Sequence, residues 1–256
     1  MAAVMLSGLH AQLLLSGDVY ARPLLDRMVE AIEGDPLLRP THWATASGLR
    51  DPYDRQALVD AVRARREDIV PHLLRVRGPV RYSCHWYGQA AALGSLHLDT
   101  RGPLTRDEAG AFFASISAVA GALPVEWGHV DTTFADQPPE LAMKSSGSAD
   151  HLGYYAQFGP GCLFPRTFLG PRLLDLIGEQ GVATLGRAGL PATRLPNGAL
   201  QLDLLDQPWT SDPASLKQAQ QRAHPLVSAT GIFRRPVGQW RDEPGPRWVP
   251  LPHDDE

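Results

Sequence analysis

The stretch LGSLHLDTRGPLTRDEAGAFFASISAVAGALPVEWGHV, residues 93–130, decides the fold class. It opens on alternation, with Leu96 and Leu98 set between Ser95, His97 and Asp99, the period of a half-buried strand. Thr105-Arg-Asp-Glu108 is then a capping box, in which the threonine and glutamate side chains each satisfy a backbone donor of the first turn. Behind it Phe112, Phe113, Ile116, Val119 and Ala120 recur at helical spacing, so residues 109–123 read as a helix with a broad buried face. Pro124 ends that helix, and Val125-Glu-Trp-Gly-His-Val130 returns to strand character. Upstream, Leu73–Val76 and Val80–Tyr87 read as two more short strands separated by Gly-containing turns. Strands, helix and strand over residues 73–134 make a compact α+β unit.

Further out the signals are mostly helical. Pro23 and Gly34 bracket a helix carrying Leu24, Leu25, Met28 and Ile32 inward. Asp51 as N-cap and Pro52 at the first helical position start another, with Leu58, Val59, Val62 and Ile69 inward, ending before Pro71. Its outward residues Arg63, Arg65, Arg66 and Glu67 form the densest basic patch, read as a solvated face. Residues 135–150 are polar and punctuated by Pro and Gly, which marks a long loop or a boundary. Beyond it come a helix at Pro171–Ile177, a strand at Ala199–Leu204 introduced by Pro196-Asn-Gly198, and a helix capped by Ser211-Asp-Pro213 that runs to Ala229. A proline-rich tail over 236–256 reads as extended. The expected fold is α+β over residues 1–256, with short, mostly antiparallel strands packed with four or five helices. A subdivision into 1–134 and 151–235 is compatible with the loop between them.

Composition narrows the class. With 43% hydrophobic and 20% charged residues the chain is too apolar for disorder. Its net charge of −4 argues against a general nucleic-acid binder, which needs a basic excess. Cys84 and Cys162 fit no metal or redox spacing and read as buried thiols of a reducing compartment. The apolar start lacks a positively charged segment and is interrupted by His10 and Gln12, so it does not read as a signal peptide. No run reaches the roughly 18 apolar residues of a membrane span. A cytoplasmic protein without cofactor or membrane partner is expected; self-association is left open.

Phosphate-binding and dinucleotide fingerprints are absent, as is a G-x-S-x-G nucleophile elbow. One constellation has metal-site logic: His97-Leu-Asp99 and His129-Val-Asp131. Residues two apart on a strand share a face, so on neighbouring strands these four groups would converge, with His85 as a fifth. That would suit zinc or manganese, a metal-activated water and a hydrolase. The plainer reading places both pairs at strand ends, where aspartate turns the chain. Trp86 and Trp127 read as core residues of the sheet. Asp131, Asp136, Glu140 and Asp150 gather around the polar loop against a single Lys144, with Tyr154 and Tyr155 just beyond. These six form a candidate docking surface for a basic protein partner, because complementary charge raises on-rate and selects partners.

The run Arg166-Thr-Phe-Leu-Gly-Pro-Arg-Leu-Leu-Asp-Leu-Ile-Gly178, the segment Leu200-Gln-Leu-Asp-Leu-Leu-Asp-Gln-Pro-Trp209 and the helix into Gly231-Ile-Phe233 together resemble the immunity protein 52 family of bacterial polymorphic toxin systems. The resemblance covers about residues 80–250 and includes Val125-Glu-Trp-Gly-His129. It implies a non-enzymatic α+β protein that binds a cognate toxin and blocks it. The toxin would be a nuclease of restriction-endonuclease-like class, delivered in some bacteria by type VI secretion. The family transfers no catalytic residues. The segments that carry it have their own physical account: Gly170-Pro171 starts a helix, Leu173, Leu174 and Ile177 pack inward, and Trp209 packs under the final helix.

Overall fold

The computed structural model describes residues 6–45, 50–64, 69–89, 93–135, 137–141, 155, 159–187 and 189–229. Ten strands form one sheet in which every pairing is antiparallel. In chain order they are β1 (Leu6–Ser16), β2 (His42–Ala44), β3 (Asp51–Pro52), β4 (His72–Arg75), β5 (Tyr82–Gln89), β6 (Leu93–Thr100), β7 (Val125–Phe134), β8 (Arg166–Leu169), β9 (Ala192–Arg194) and β10 (Leu200–Asp203). Across the sheet they run β3-β2-β4-β5-β6-β1-β7-β8-β10-β9. Both halves of the chain therefore contribute strands to the same sheet. Among the described residues there are five α-helices: α1 (Arg22–Gly34), α2 (Arg55–Ala64), α3 (Arg106–Ala122), α4 (Pro171–Arg187) and α5 (Pro213–Ser228). The α+β expectation holds.

The apolar start of the chain is the central strand. β1 pairs with β6 on one side and β7 on the other, so it has no free edge. Its residues Ala11, Leu13, Leu14 and Leu15 are all fully buried. A strand covered on both faces reads as an apolar run rather than as alternation, which is why Leu13–Leu15 do not show the period of a strand.

Alternation then sorts the side chains onto two faces. On the first face Leu13, Tyr82, Cys84, Trp86, Leu96, Leu98 and Phe168 meet Met28 and Ile32 of α1, Leu58 and Val62 of α2, and Phe112, Phe113 and Ile116 of α3 in one core. On the second face Leu14, Trp127, Leu169, Leu200 and Leu202 meet Leu173 of α4, Ala219 and Val227 of α5, and the segment Cys162–Phe164. Each fully buried leucine contributes about 1.5–3 kcal/mol through burial.

Local signals explain most boundaries. The capping box of α3 is formed: Glu108 N donates to Thr105 Oγ1 at 3.2 Å and Thr105 N to Glu108 Oε2 at 2.8 Å. Asp212 caps α5 by accepting from Ser215 N at 2.9 Å. The second helix starts later than expected, because Asp51 and Pro52 pair with β2 as β3, and Asp54 becomes its cap through Ala57 N at 3.0 Å. The helix after Pro171 extends to Arg187 through a break at Gly178, whose φ of 63° lies in the left-handed region that glycine tolerates. Trp209, expected under the final helix, packs on α3 instead. Its ring lies 5.2 Å from Phe113, over Gly110, where a Cβ would come within 2.8 Å of the indole nitrogen.

Cys84 and Cys162 are buried and form no disulfide. No helix among the described residues is long and apolar enough to cross a membrane.

Candidate functional site

The register of β6, β1 and β7 decides what becomes of the two His-x-Asp pairs. His97 stands opposite Gln12 and Gln12 opposite His129; Asp99 stands opposite His10 and His10 opposite Asp131. Directly opposed residues of antiparallel strands share a face, so both pairs lie on the second face but on strands separated by β1. The same register continues outward, His85 opposite His97 and His72 opposite His85. Five imidazoles and a phenol thus form a layer across five strands. His85 and His97 stack at 4.8 Å and 5°, and Tyr87 stacks on His97 at 5.2 Å. His10 lies 5.7 Å from His97 and 5.5 Å from His129, and His72 lies 5.6 Å from His85.

Burial varies along this layer. His72 and His85 are half-buried, while His97 and His129 are 5% and 1% exposed. Burial, reinforced by neighbouring imidazoles, lowers the pKa of His72 and His85, takes His97 down to about 3 and puts His129 well below the ordinary value. The protonated form is disfavoured because each charge would be desolvated beside others of its own sign. Asp99 answers differently. Burial opposes its ionisation, but the hydrogen bond and charge of His10, whose Nδ1 lies 2.7 Å from Oδ1, outweigh burial and hold the carboxyl below its usual range. Gln12 Nε2 donates to Ser95 Oγ at 3.1 Å, and the same hydroxyl shares a hydrogen bond with His97 Nε2 at 2.6 Å. Burial and these contacts keep His97 neutral.

This arrangement does not assemble the metal centre that the two pairs suggest. Among the described residues no group of three or more His, Cys, Asp or Glu side chains is placed to hold a metal ion. Asp99 is taken by His10, His97 by Ser95, and Asp131 Oδ1 accepts from Thr132 N at 2.7 Å. His129 is stacked on Phe164 at 3.8 Å, and its buried Nδ1 has no hydrogen-bond partner among the described residues. The interposed strand is the physical reason: β1 brings His10 between the two carboxylates and Gln12 between the two imidazoles. A serine 2.6 Å from an imidazole is half of a nucleophilic pair, yet Ser95 is fully buried and Asp99 orients His10 rather than His97. The layer is a packed polar seam.

The acidic docking surface is met in part. Asp131 is half-buried near the end of β7. Glu140 is exposed in a 3-10 turn, Pro139–Leu141, where Lys217 Nζ donates to its backbone oxygen at 2.5 Å. Asp136, Asp150 and Tyr154 lie outside the described residues. Tyr155, expected to be exposed, is 2% exposed. Its ring stacks 6.1 Å from Trp127 and its hydroxyl donates to Glu126, a buried carboxylate that also receives Ser16 and Arg172. An apolar pocket with one acceptor at its end explains the burial.

Sequence reasoning missed His10, Gln12, His72 and Tyr87 as members of the layer, and Arg166 with Asp203 as a buried ion pair. Arg166 Nε and Nη2 grip both oxygens of Asp203 at 2.7 and 2.8 Å, and Nη1 donates to Phe113 O and Ser117 Oγ. The guanidinium also lies 5.0 Å from the Phe113 ring. Each of these four layer residues has a polar side chain within an apolar segment, and that is the signal that could have exposed them.

No family model matches the chain, and no curated protein matches it. A solved structure, the Pseudomonas aeruginosa T6SS protein PA0821, is similar in fold, with a TM-score of 0.55 at 13% identity over 93% of this chain and 78% of that one.

Proposed function

We propose that this chain is an immunity protein of a type VI secretion-associated toxin system, acting by binding a cognate antibacterial toxin rather than by catalysis. The observation that carries the reading is a fold shared over 93% of the chain with a T6SS protein. The resemblance of residues 80–250 to the immunity protein 52 family points the same way. The internal geometry is compatible with it, since the candidate catalytic groups of the second face spend their hydrogen bonds on one another.

The toxin in this reading is a nuclease of restriction-endonuclease-like class. A nuclease surface that receives phosphates is basic, and an acidic inhibitor surface is its complement. Asp131, Asp136, Glu140, Asp150 and Tyr154 are the residues proposed for that surface; Tyr155 leaves the set because it is buried.

Co-expression with the product of the neighbouring reading frame tests the function. Rescue of growth together with a complex on size-exclusion chromatography is expected. Failure of both overturns the reading. The charge reversals Asp136→Lys and Glu140→Lys are expected to weaken the complex at least tenfold; an unchanged affinity removes the acidic surface and leaves the function standing.

A further inference from the structure

The far end of the second face carries charge of the opposite sign. In the antiparallel pairing of β5 with β6, Tyr82 stands opposite Thr100, and the ladder continues with Arg101 N donating to Arg81 O at 2.8 Å. Arg81 and Arg101 are thus like charges at opposed positions, an arrangement that weakens a sheet. Val76, Leu74 and Arg50 lie beside them, and together with Arg75 and Tyr82 these residues line a cavity of about 180 Å³. Arg75 is committed: its Nη1 donates to Pro36 O and Arg39 O and its Nε to Arg77 O. Arg50, Arg81 and Arg101 are exposed, and Arg81 makes one long bond, Nη2 to Arg101 O at 3.4 Å, which leaves its other donors for a ligand. None of the four arginines forms an ion pair with a carboxylate among the described residues. Asp99, two residues before Arg101 on the same face, is engaged by His10. Asp51 follows Arg50 without lining the cavity.

We propose that this cavity binds a compact polyanion, the di- or triphosphate group of a small molecule, with the guanidiniums of Arg50, Arg81 and Arg101 as its ligands. Guanidinium forks match phosphate oxygens in pairs, and several forks converging without a carboxylate leave a charge deficit that a multiply charged anion fills. The floor of Leu74 and Val76 offers no donor or acceptor of its own beyond the backbone, so recognition rests on the three arginines. A single carboxylate carries too little charge for the site. A long nucleic-acid strand is opposed by the net charge of −4 on the whole chain. The proposal is independent of the immunity reading.

Isothermal titration of the full chain with inorganic tripolyphosphate, at low and at physiological salt, tests it. One saturable site is expected, with affinity falling as salt rises. Arg81→Gln combined with Arg101→Gln is expected to weaken binding at least tenfold, and Arg101→Lys to weaken it less. The thermal midpoint of the ligand-free double variant is expected to equal or exceed that of the parent, because a like-charge pair has been removed. A lower midpoint with intact tripolyphosphate binding means that the arginines are structural and overturns the proposal. So does the absence of saturable binding, or equal affinity for a hexaglutamate peptide or for single-stranded DNA of matched charge. ATP binding as tightly as tripolyphosphate, and competing with it, assigns the phosphates to a nucleotide; tripolyphosphate alone assigns them to an inorganic chain.

Discussion

Leu13 and Leu14 are chain neighbours on β1, both fully buried, and they enter different cores. Leu13 faces three helices that close the first face from β4 to β8. Leu14 faces the second, where α4, α5 and the segment Cys162–Phe164 cover β7, β8 and β10, and where the polar layer takes over toward β4. The first face needs one buried ion pair, Arg166–Asp203, and surrounds it with aromatic rings and backbone acceptors. The second face keeps the buried imidazoles of His97 and His129 neutral, stacks them on neighbouring rings and pairs His10 with Asp99. Burial by apolar closure tolerates one well-satisfied pair; burial of a polar layer depends on suppressing charge.

The largest effect expected from this difference is on the first face. Arg166→Met strands Asp203 inside the core and is expected to cost about 3–5 kcal/mol in denaturant unfolding. Arg166→Met with Asp203→Leu is expected to regain most of that loss, since neither charge then remains buried. A small cost for the single variant would mean that water reaches the pair.

Leu13→Ala and Leu14→Ala sharpen the comparison directly. Each removes a fully buried side chain and is expected to cost about 2–5 kcal/mol. Comparable losses show that the second face is as closed at β1 as the first. A much smaller loss for Leu14→Ala breaks that equivalence.

The smallest effect, counted per imidazole and per pH unit, is on pH dependence. His72, His85, His97 and His129 have folded pKa values below their unfolded value of 6.5, so the unfolded chain binds more protons below that pH. Stability then falls with pH, starting as pH drops through 6.5 and continuing for His97 to about 3. The slope reaches about 1.4 kcal/mol per pH unit for each imidazole fully protonated only in the unfolded chain. Asp99, held low by His10, adds to the loss in the same direction at the acid end. Urea midpoints measured from pH 7.5 to 4.5 should fall, and His97→Gln should flatten the fall. A flat profile for the parent would show that the layer is open to water.

How much of this was legible follows from the range of each interaction. The capping box at Thr105, the cap at Asp212 and the helical face of Phe112, Phe113 and Ile116 are local, and they stand where the sequence places them. The strand β1 was not legible, because burial on both faces erases the alternation that marks a strand. Asp51-Pro52 imitates a helix start and becomes a strand only because β2 offers it a partner. The two His-x-Asp pairs were visible as pairs, and their common face follows from strand period, but the strand between them does not.

The sequence by itself therefore determined the α+β class, the ends of α1, α3 and α5 and the inward sides of β5 and β6, since these depend on contacts a few residues apart. Only the tertiary structure decided that β1 runs between β6 and β7. That single placement puts His10 against Asp99 and separates the two apparent metal half-sites by a strand, whereas the pairing of β5 with β6 sets Arg81 opposite Arg101. Pairing between strands some 90 to 120 residues apart depends on which faces must be buried together, and that is a property of the whole chain.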